Sequence, residues 1–311
     1  MDRVYYAQGP GGNALASRGS LPRHEERWAV NATPPPGPIA AMLSITSLQN
    51  PHVKAAVRLR ERRHREKQGQ ILIDGARELR RGIEAGLKLI EVFVCHSLCR
   101  TREARQLAAA LPSTGATIFA VTEPVFAKLA FGDRAEGVLG VAAMPELGLH
   151  RIRLPPLPLV AVLEGLEKPG NLGAVLRSAD AAGVSAVIAA DPRTDLYNPN
   201  AIRSSLGTIF TMPVAAATTA DTVGWLKRQG LKIFAARVDG SALYTQVDFR
   251  VPAAVVLGSE ALGLTAAWSS AEATAVRLPM QGVGDSLNVS AAAAVLFYEA
   301  LRQRSSQDQR G

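Results

Sequence analysis

Apolar positions recur along most of this chain in short blocks whose spacing switches between strand-like and helix-like periods. Between residues 70 and 144, Ile71–Ile73, Val92–Val94, Ile118–Val121 and Gly137–Ala142 have the length and apolar content of strands. Gly75–Ala85, Glu103–Leu111 and Pro124–Leu129 between them predict helices. In the first of these, Ala76, Leu79 and Ile83 recur at spacings of three and four. A small α/β domain follows. A second series begins at Leu159–Leu163, a continuous apolar run of the kind expected of a strand buried on both faces. Further strands are predicted at 186–189, 214–216, 232–236, 253–257 and 275–278, and helices at 172–182, 199–206, 223–229 and 287–302. Strand and helix alternate throughout, which predicts a parallel sheet with helices on both faces.

The remaining segments punctuate this pattern. Residues 1–41 are rich in Gly, Pro and charge and end in Pro34-Pro35-Pro36-Gly37-Pro38, which suits neither a helix nor an inner strand. They are expected to be a disordered leader, and Met42, where patterning begins, is a candidate translation start. Residues 145–157 carry Pro145, Pro155 and Pro156 and predict a linker between a domain at 42–144 and one at 158–304. Residues 305–311 predict a frayed polar tail.

Composition narrows the class. The chain is 47% hydrophobic and 20% charged, enough apolar material for a globular core. No stretch approaches the roughly 18 apolar residues of a membrane span, and the N-terminus lacks the basic-then-apolar order of a signal peptide. Two cysteines, Cys95 and Cys99, with His96 between them are too few for a disulfide framework or a zinc site. They are expected to be reduced thiols in a cytoplasmic protein, with no metal. The formal net charge is +8, which favours an anionic partner. Residues 1–150 carry a net +6 and residues 151–311 a net +2, so the excess sits in the first half. A predicted helix within 43–67 concentrates it: Lys54, Arg58, Arg60, Arg62, Arg63, Arg65 and Lys67 stand against Glu61 and Glu66. This is a candidate phosphate-contacting arm, although a solvated helix face has the same signature.

Three segments of the second domain carry candidate chemistry. Glu164–Arg177 leaves a strand, turns at Pro169-Gly170 and enters a helix, with Asn171 where an N-cap is expected. Val255–Leu264 runs from a buried strand into Gly258-Ser259-Glu260, where a glycine would expose backbone groups to a ligand beyond the strand's carboxyl end. Leu278–Ser290 is a glycine loop leading into an alanine-rich helix, with Asp285 or Ser286 as candidate caps and Asn288 in need of a polar partner. Each segment alone also has a purely structural reading. No Gly-x-x-x-x-Gly-Lys loop, Gly-x-Gly-x-x-Gly fingerprint or Gly-x-Ser-x-Gly elbow is present, which weighs against a nucleotide-binding enzyme of the doubly wound type.

In this order, the three segments resemble the motifs of the SpoU (TrmH-like) RNA ribose 2′-O-methyltransferases of the SPOUT class, over about Pro158–Gln303. Residues from about Ile45 to Met144 resemble the L30e-like substrate-binding domain of that family's rRNA-directed members, the thiostrepton-resistance group being nearest. The resemblance implies a C-terminal trefoil knot, a homodimer, and S-adenosylmethionine as cofactor. It implies that Gly258, Leu278, Met280 and Leu287 contact the cofactor, that Glu260, Ser286 and Asn288 shape the pocket and RNA entrance, and that Asn171 holds the loop of the catalytic arginine. Arg177 matches that arginine. Because a guanidinium normally stays protonated, Arg177 would either be transiently deprotonated to take the 2′-hydroxyl proton or stabilise the developing alkoxide. Arg203, in Ile202–Gly207, is expected to contact RNA phosphate, as are Lys54, Arg58, Arg62, Arg63 and Arg65. The two-domain layout points to rRNA, 23S foremost. The alternatives are a tRNA 2′-O-methyltransferase and a non-catalytic RNA-binding ribosome-assembly factor.

Overall fold

Two sheets, each buried on both faces, organise the protein. The structure, a computed structural model, describes residues 43–131, 135–259 and 262–308. The proposed leader and Met42 lie outside the described residues. The first part runs β1 (Leu43–Ile45), α1 (Pro51–Arg58), α2 (Arg62–Gln68), β2 (Gln70–Asp74), α3 (Ala76–Glu84), β3 (Leu89–Val94), α4 (Arg102–Ala110), β4 (Thr117–Val121), α5 (Glu123–Leu129) and β5 (Val138–Ala143). Its five strands lie in the order β1-β4-β3-β5-β2, with β5 antiparallel to both neighbours. Alternate residues face opposite ways: Ile71, Ile73, Val92 and Val94 join one core, while Leu72, Phe93, Phe119 and Leu139 join another.

The second part runs β6 (Leu159–Glu164), α6 (Pro169–Ala181), β7 (Ala186–Ala190), α7 (Pro199–Ser204), α8 (Thr208–Thr211), β8 (Val214–Ala217), α9 (Thr219–Arg228), β9 (Lys232–Ala236), β10 (Ala242–Leu243), β11 (Ala253–Leu257), α10 (Ala267–Ser270), β12 (Thr274–Arg277) and α11 (Val289–Asp308). Seven strands lie in the order β10-β12-β9-β11-β6-β7-β8, and every pairing is parallel. On β6, Leu159, Ala161 and Leu163 pack on one face and Val160 and Val162 on the other. Helices cover both faces, which is why the strands read as continuous apolar runs. Among the described residues no helix is long and apolar enough to cross a membrane.

Several boundaries differ from the sequence pattern. The single basic helix is two, α1 and α2, because Leu59 turns inward to 1% exposure between them. Residues 145–157, read as a linker, pack on the second part: the Ala216 N–H donates to the Leu147 carbonyl at 2.8 Å and Ile152 is buried. The tail expected from residue 305 is helical to Asp308. Arg304 anchors that end by donating to the carbonyls of Phe249, Leu157, Pro158 and Val251.

Candidate active site

The carboxyl ends of the neighbouring strands β9, β11 and β12 open onto a cleft of about 580 Å³. This is where a parallel sheet presents backbone groups and strand-end loops to a ligand. One wall comes from the chain after β11: Gly258, Ser259, Leu262, Gly263 and Leu264. A Cβ on Gly258 would lie 2.6 Å from the Leu264 nitrogen and closer still to the Gly263 carbonyl, so only glycine fits. The Ser259 and Gly263 backbones pair in both directions, at 3.2 and 3.0 Å. A second wall follows β12 and enters α11 through Leu278, Met280, Ser286 and Leu287. The third follows β9. Its Arg237 donates to Asp239 at 2.8 and 2.7 Å, and these bonds hold the Asp239 carboxyl below the usual range.

The first segment meets the third at the edge of this cleft. Pro169 occupies the first turn of α6 and Lys168 the cap position, so Asn171 lies inside the helix and is not its N-cap, as the spacing had suggested. A proline is pre-set for that first turn, which moves the start three residues earlier. Likewise neither Asp285 nor Ser286 caps α11. Asn288 does so, its Oδ1 accepting from the Ser290 N–H and hydroxyl at 2.9 and 2.6 Å. The Asn288 amide also donates to Asn171 Oδ1 at 3.4 Å, so two segments 117 residues apart are joined. Arg177 is exposed on α6 and does not line the cleft. Glu260 lies outside the described residues. α6 is seated against α7 at Gly173, where a Cβ would come within 2.5 Å of the Ser205 nitrogen.

A family model for the SpoU rRNA methylases matches residues 158–298, and one for an MRM3-like substrate-binding domain matches residues 50–140. An uncharacterized tRNA/rRNA methyltransferase of Synechocystis is 31% identical, over 84% of this chain and 94% of its own length. The chain belongs to the SpoU rRNA methylase family. Its relatives include a 23S rRNA (uridine-2′-O)-methyltransferase of Streptomyces viridochromogenes, 30% identical over 80% of this chain and 88% of the relative. A crystal structure of an RNA 2′-O ribose methyltransferase is 46% identical, covers 85% of this chain and all of that one, and superposes with a TM-score of 0.75. The AdoMet-bound rRNA methyltransferase of Sinorhizobium meliloti is 28% identical over 84% of this chain and 98% of that one, with a TM-score of 0.76.

Against the SpoU pattern, Gly258, Leu278, Met280, Ser286 and Leu287 share one cleft, and Asn171 and Asn288 are bonded beside it. Arg237, Val238 and Asp239 also line it and were not singled out from sequence. The strand ending at Ala236 was legible, and a parallel neighbour of β11 must end at the same edge, so strand order was the missing piece.

The basic segment divides. Lys54 and Arg58 are exposed on α1, and Arg62 and Arg63 are exposed but paired with Glu66 and Glu61 at 2.7 Å. Arg65 is a correction. It is 1% exposed, donates to Asp195 through Nε at 2.7 Å and again through Nη2, and reaches the Leu59 carbonyl at 2.6 Å. It joins the two halves of the chain and is closed to phosphate. Arg203 is corrected in part: half-buried, it donates to the Phe131 carbonyl, so one guanidinium nitrogen is committed within the protein. Arg60 donates to the carbonyls of Lys128, Leu129 and Ala130. Cys95 and Cys99 are buried free thiols, and burial pushes the Cys99 thiol up. Among the described residues no group of three or more His, Cys, Asp or Glu side chains could hold a metal ion.

Proposed function

We propose that the protein transfers the methyl group of S-adenosylmethionine to a ribose 2′-hydroxyl of rRNA, 23S rRNA foremost, acting in the cytoplasm. The observation that carries this reading is the strand-end cleft walled by the Gly258 and Leu278–Leu287 segments, with the Asn171–Asn288 contact at its edge. The cleft fits the cofactor by its chemistry. Leu262, Leu264, Leu278 and Met280 offer apolar surface to a flat base, while the tight glycine wall and the Asp239 and Ser286 side chains offer polar groups to a ribose and a charged tail. S-adenosylmethionine bound there would supply an electrophilic methyl carbon whose departure leaves a neutral thioether, so no metal is needed.

The chain's own residues place the acceptor. Arg177 lies about 9 Å along α6 from Asn171, a span that a nucleotide crossing the cleft mouth can bridge. Its guanidinium, exposed and without a hydrogen bond or ion pair among the described residues, is placed in this reading on the 2′-oxygen, where it stabilises the charge developing on that atom. Asn171 and Asn288 hold α6 and α11 in register so that donor and acceptor approach in line. Ser286 belongs to the entrance, the role the family resemblance also gives to Glu260. Lys54, Arg58, Arg62 and Arg63 form the phosphate-contacting face of an L30e-like substrate domain at 42–144, linked through 145–157 to the methyltransferase domain at 158–304.

A knot and a homodimer belong to the same reading. β12 lies beyond β9 at one side of the sheet while α11 returns to pack on β11 and α6, a route that suits a threaded C-terminus. On α11, Val295, Tyr298 and Leu301 are exposed apolar residues three apart, a stripe suited to a second copy.

The test is methyl transfer from labelled S-adenosylmethionine to unmodified 23S rRNA, 16S rRNA and tRNA, with wild type and Arg177→Ala side by side. Ribose label on 23S rRNA, lost in the variant while cofactor binding persists, is the expected result. Transfer to tRNA alone would replace the substrate. Tight RNA binding with no transfer to any RNA would support the assembly-factor alternative.

A further inference from the structure

We infer that Glu164 is a positioning residue for the methyl-donor cleft: its buried carboxylate sets the wall formed by the chain after β11. This rests on the reading of the cleft as the S-adenosylmethionine site.

Glu164 is the last residue of β6 and is 3% exposed, so its carboxylate must be satisfied inside the protein. Three donors meet it. The Thr265 N–H donates to Oε2 at 2.8 Å, the Thr265 hydroxyl to Oε1 at 2.7 Å, and the Thr219 hydroxyl, at the start of α9, to Oε1 at 2.9 Å. Two of the three come from the residue that directly follows Gly263 and Leu264 of the cleft wall.

The near end of that wall is fixed by the sheet, where Leu257 pairs with Leu163. Its middle is closed by the Ser259–Gly263 pairing. Its far end is packed through Leu264 and the buried Trp268 that follows in α10, while Thr265 between them is exposed and depends on polar contacts for its position. The Glu164 carboxylate supplies the polar pin, through the Thr265 N–H and hydroxyl. Only a carboxylate offers two acceptor oxygens for three converging donors; a glutamine would turn an NH₂ toward one of them. Glu164 does not line the cleft and so acts through Thr265 and the wall.

The experiment measures S-adenosylmethionine affinity by calorimetry for wild type, Glu164→Gln, Thr265→Val and Thr265→Ser. Melting temperature, rRNA affinity and steady-state kinetics with varied S-adenosylmethionine are followed in parallel. Glu164→Gln is expected to weaken cofactor binding by about tenfold or more, the loss of a bond to a charged group. The KM for the cofactor should rise to match, while kcat at saturating cofactor and the rRNA affinity stay within about twofold. Thr265→Val should show a smaller loss in the same direction, and Thr265→Ser should bind as wild type does. Folded Glu164→Gln and Thr265→Val proteins with wild-type cofactor affinity would overturn the inference. If Glu164→Gln fails to fold, the surface variant Thr265→Val decides alone. A wild-type protein that binds no S-adenosylmethionine defeats the reading of the cleft itself and takes this inference with it.

Discussion

Replacing Arg65 by methionine separates the structural part of the basic segment from the part open to RNA. Methionine keeps much of the side-chain length but none of the donors. The Asp195 carboxylate, whose side chain is 15% exposed, loses the cation that meets it through two nitrogens, and the Leu59 carbonyl loses its 2.6 Å donor. Removing one partner of a buried pair costs about 3–5 kcal/mol, because the other charge is left uncompensated. The residual exposure of Asp195 argues for the lower end, about 3 kcal/mol. At about 2–4 °C per kcal/mol for a domain of 150–250 residues, melting should fall by about 6–12 °C. Arg62→Met and Arg63→Met break pairs whose members are all more than half exposed, and should shift stability by no more than about 0.5 kcal/mol. The assay is thermal and urea unfolding of the three variants, alongside rRNA affinity measured against salt concentration. Arg62→Met and Arg63→Met should each lower the salt slope by about 1 if they contact phosphate; Arg65→Met should leave it unchanged. Replacing Arg65 and Asp195 together by apolar residues should recover most of the lost stability. Wild-type melting of Arg65→Met with a reduced salt slope would refute the reasoning and return Arg65 to the RNA surface.

Two further predictions follow from single residues. Gly258→Ala puts a Cβ against the Gly263 and Leu264 backbones, which must shift at a cost of about 1–3 kcal/mol; S-adenosylmethionine binding should fall by at least about tenfold in calorimetry, and wild-type affinity would show that the wall does not contact the cofactor. Burial raises the Asp74 carboxyl to about 6 from 3.8, even though it accepts from the Phe131 N–H at 2.6 Å. A carboxyl raised in the folded state favours folding below its unfolded value, and that contribution is lost as pH rises through 6. Relative to Asp74→Asn, wild type should therefore lose roughly 2 kcal/mol between pH 4 and 7, and parallel stability curves for the two proteins would contradict this.

Much of the protein was legible from sequence because short-range periodicity is a local property. The apolar runs at 159–163 and 253–257 predicted strands buried on both faces, and β6 and β11 are such strands, paired in register. The spacing of Gly258, Leu278 and Asn288 located three stations of one cleft edge through their resemblance to known motifs. The helix starts were less legible, since Pro169 and Asn288 act as start and cap only once the chain has turned.

What the sequence determined by itself was the run of strands and helices and the family. What tertiary structure alone decided was which of those residues meet. Arg65 reaches Asp195 across 130 residues, Asn288 reaches Asn171 across 117, and Thr265 reaches Glu164 across 101. None of these contacts has a periodic signature. The second and third exist because the strand order β12-β9-β11-β6 brings distant chain ends to one edge, and the first because the buried Arg65 charge must find a partner. The same arginine code gives an exposed side chain at Arg62 and a buried tie at Arg65, three residues later, and only the direction in which the folded helix turns them tells the two apart.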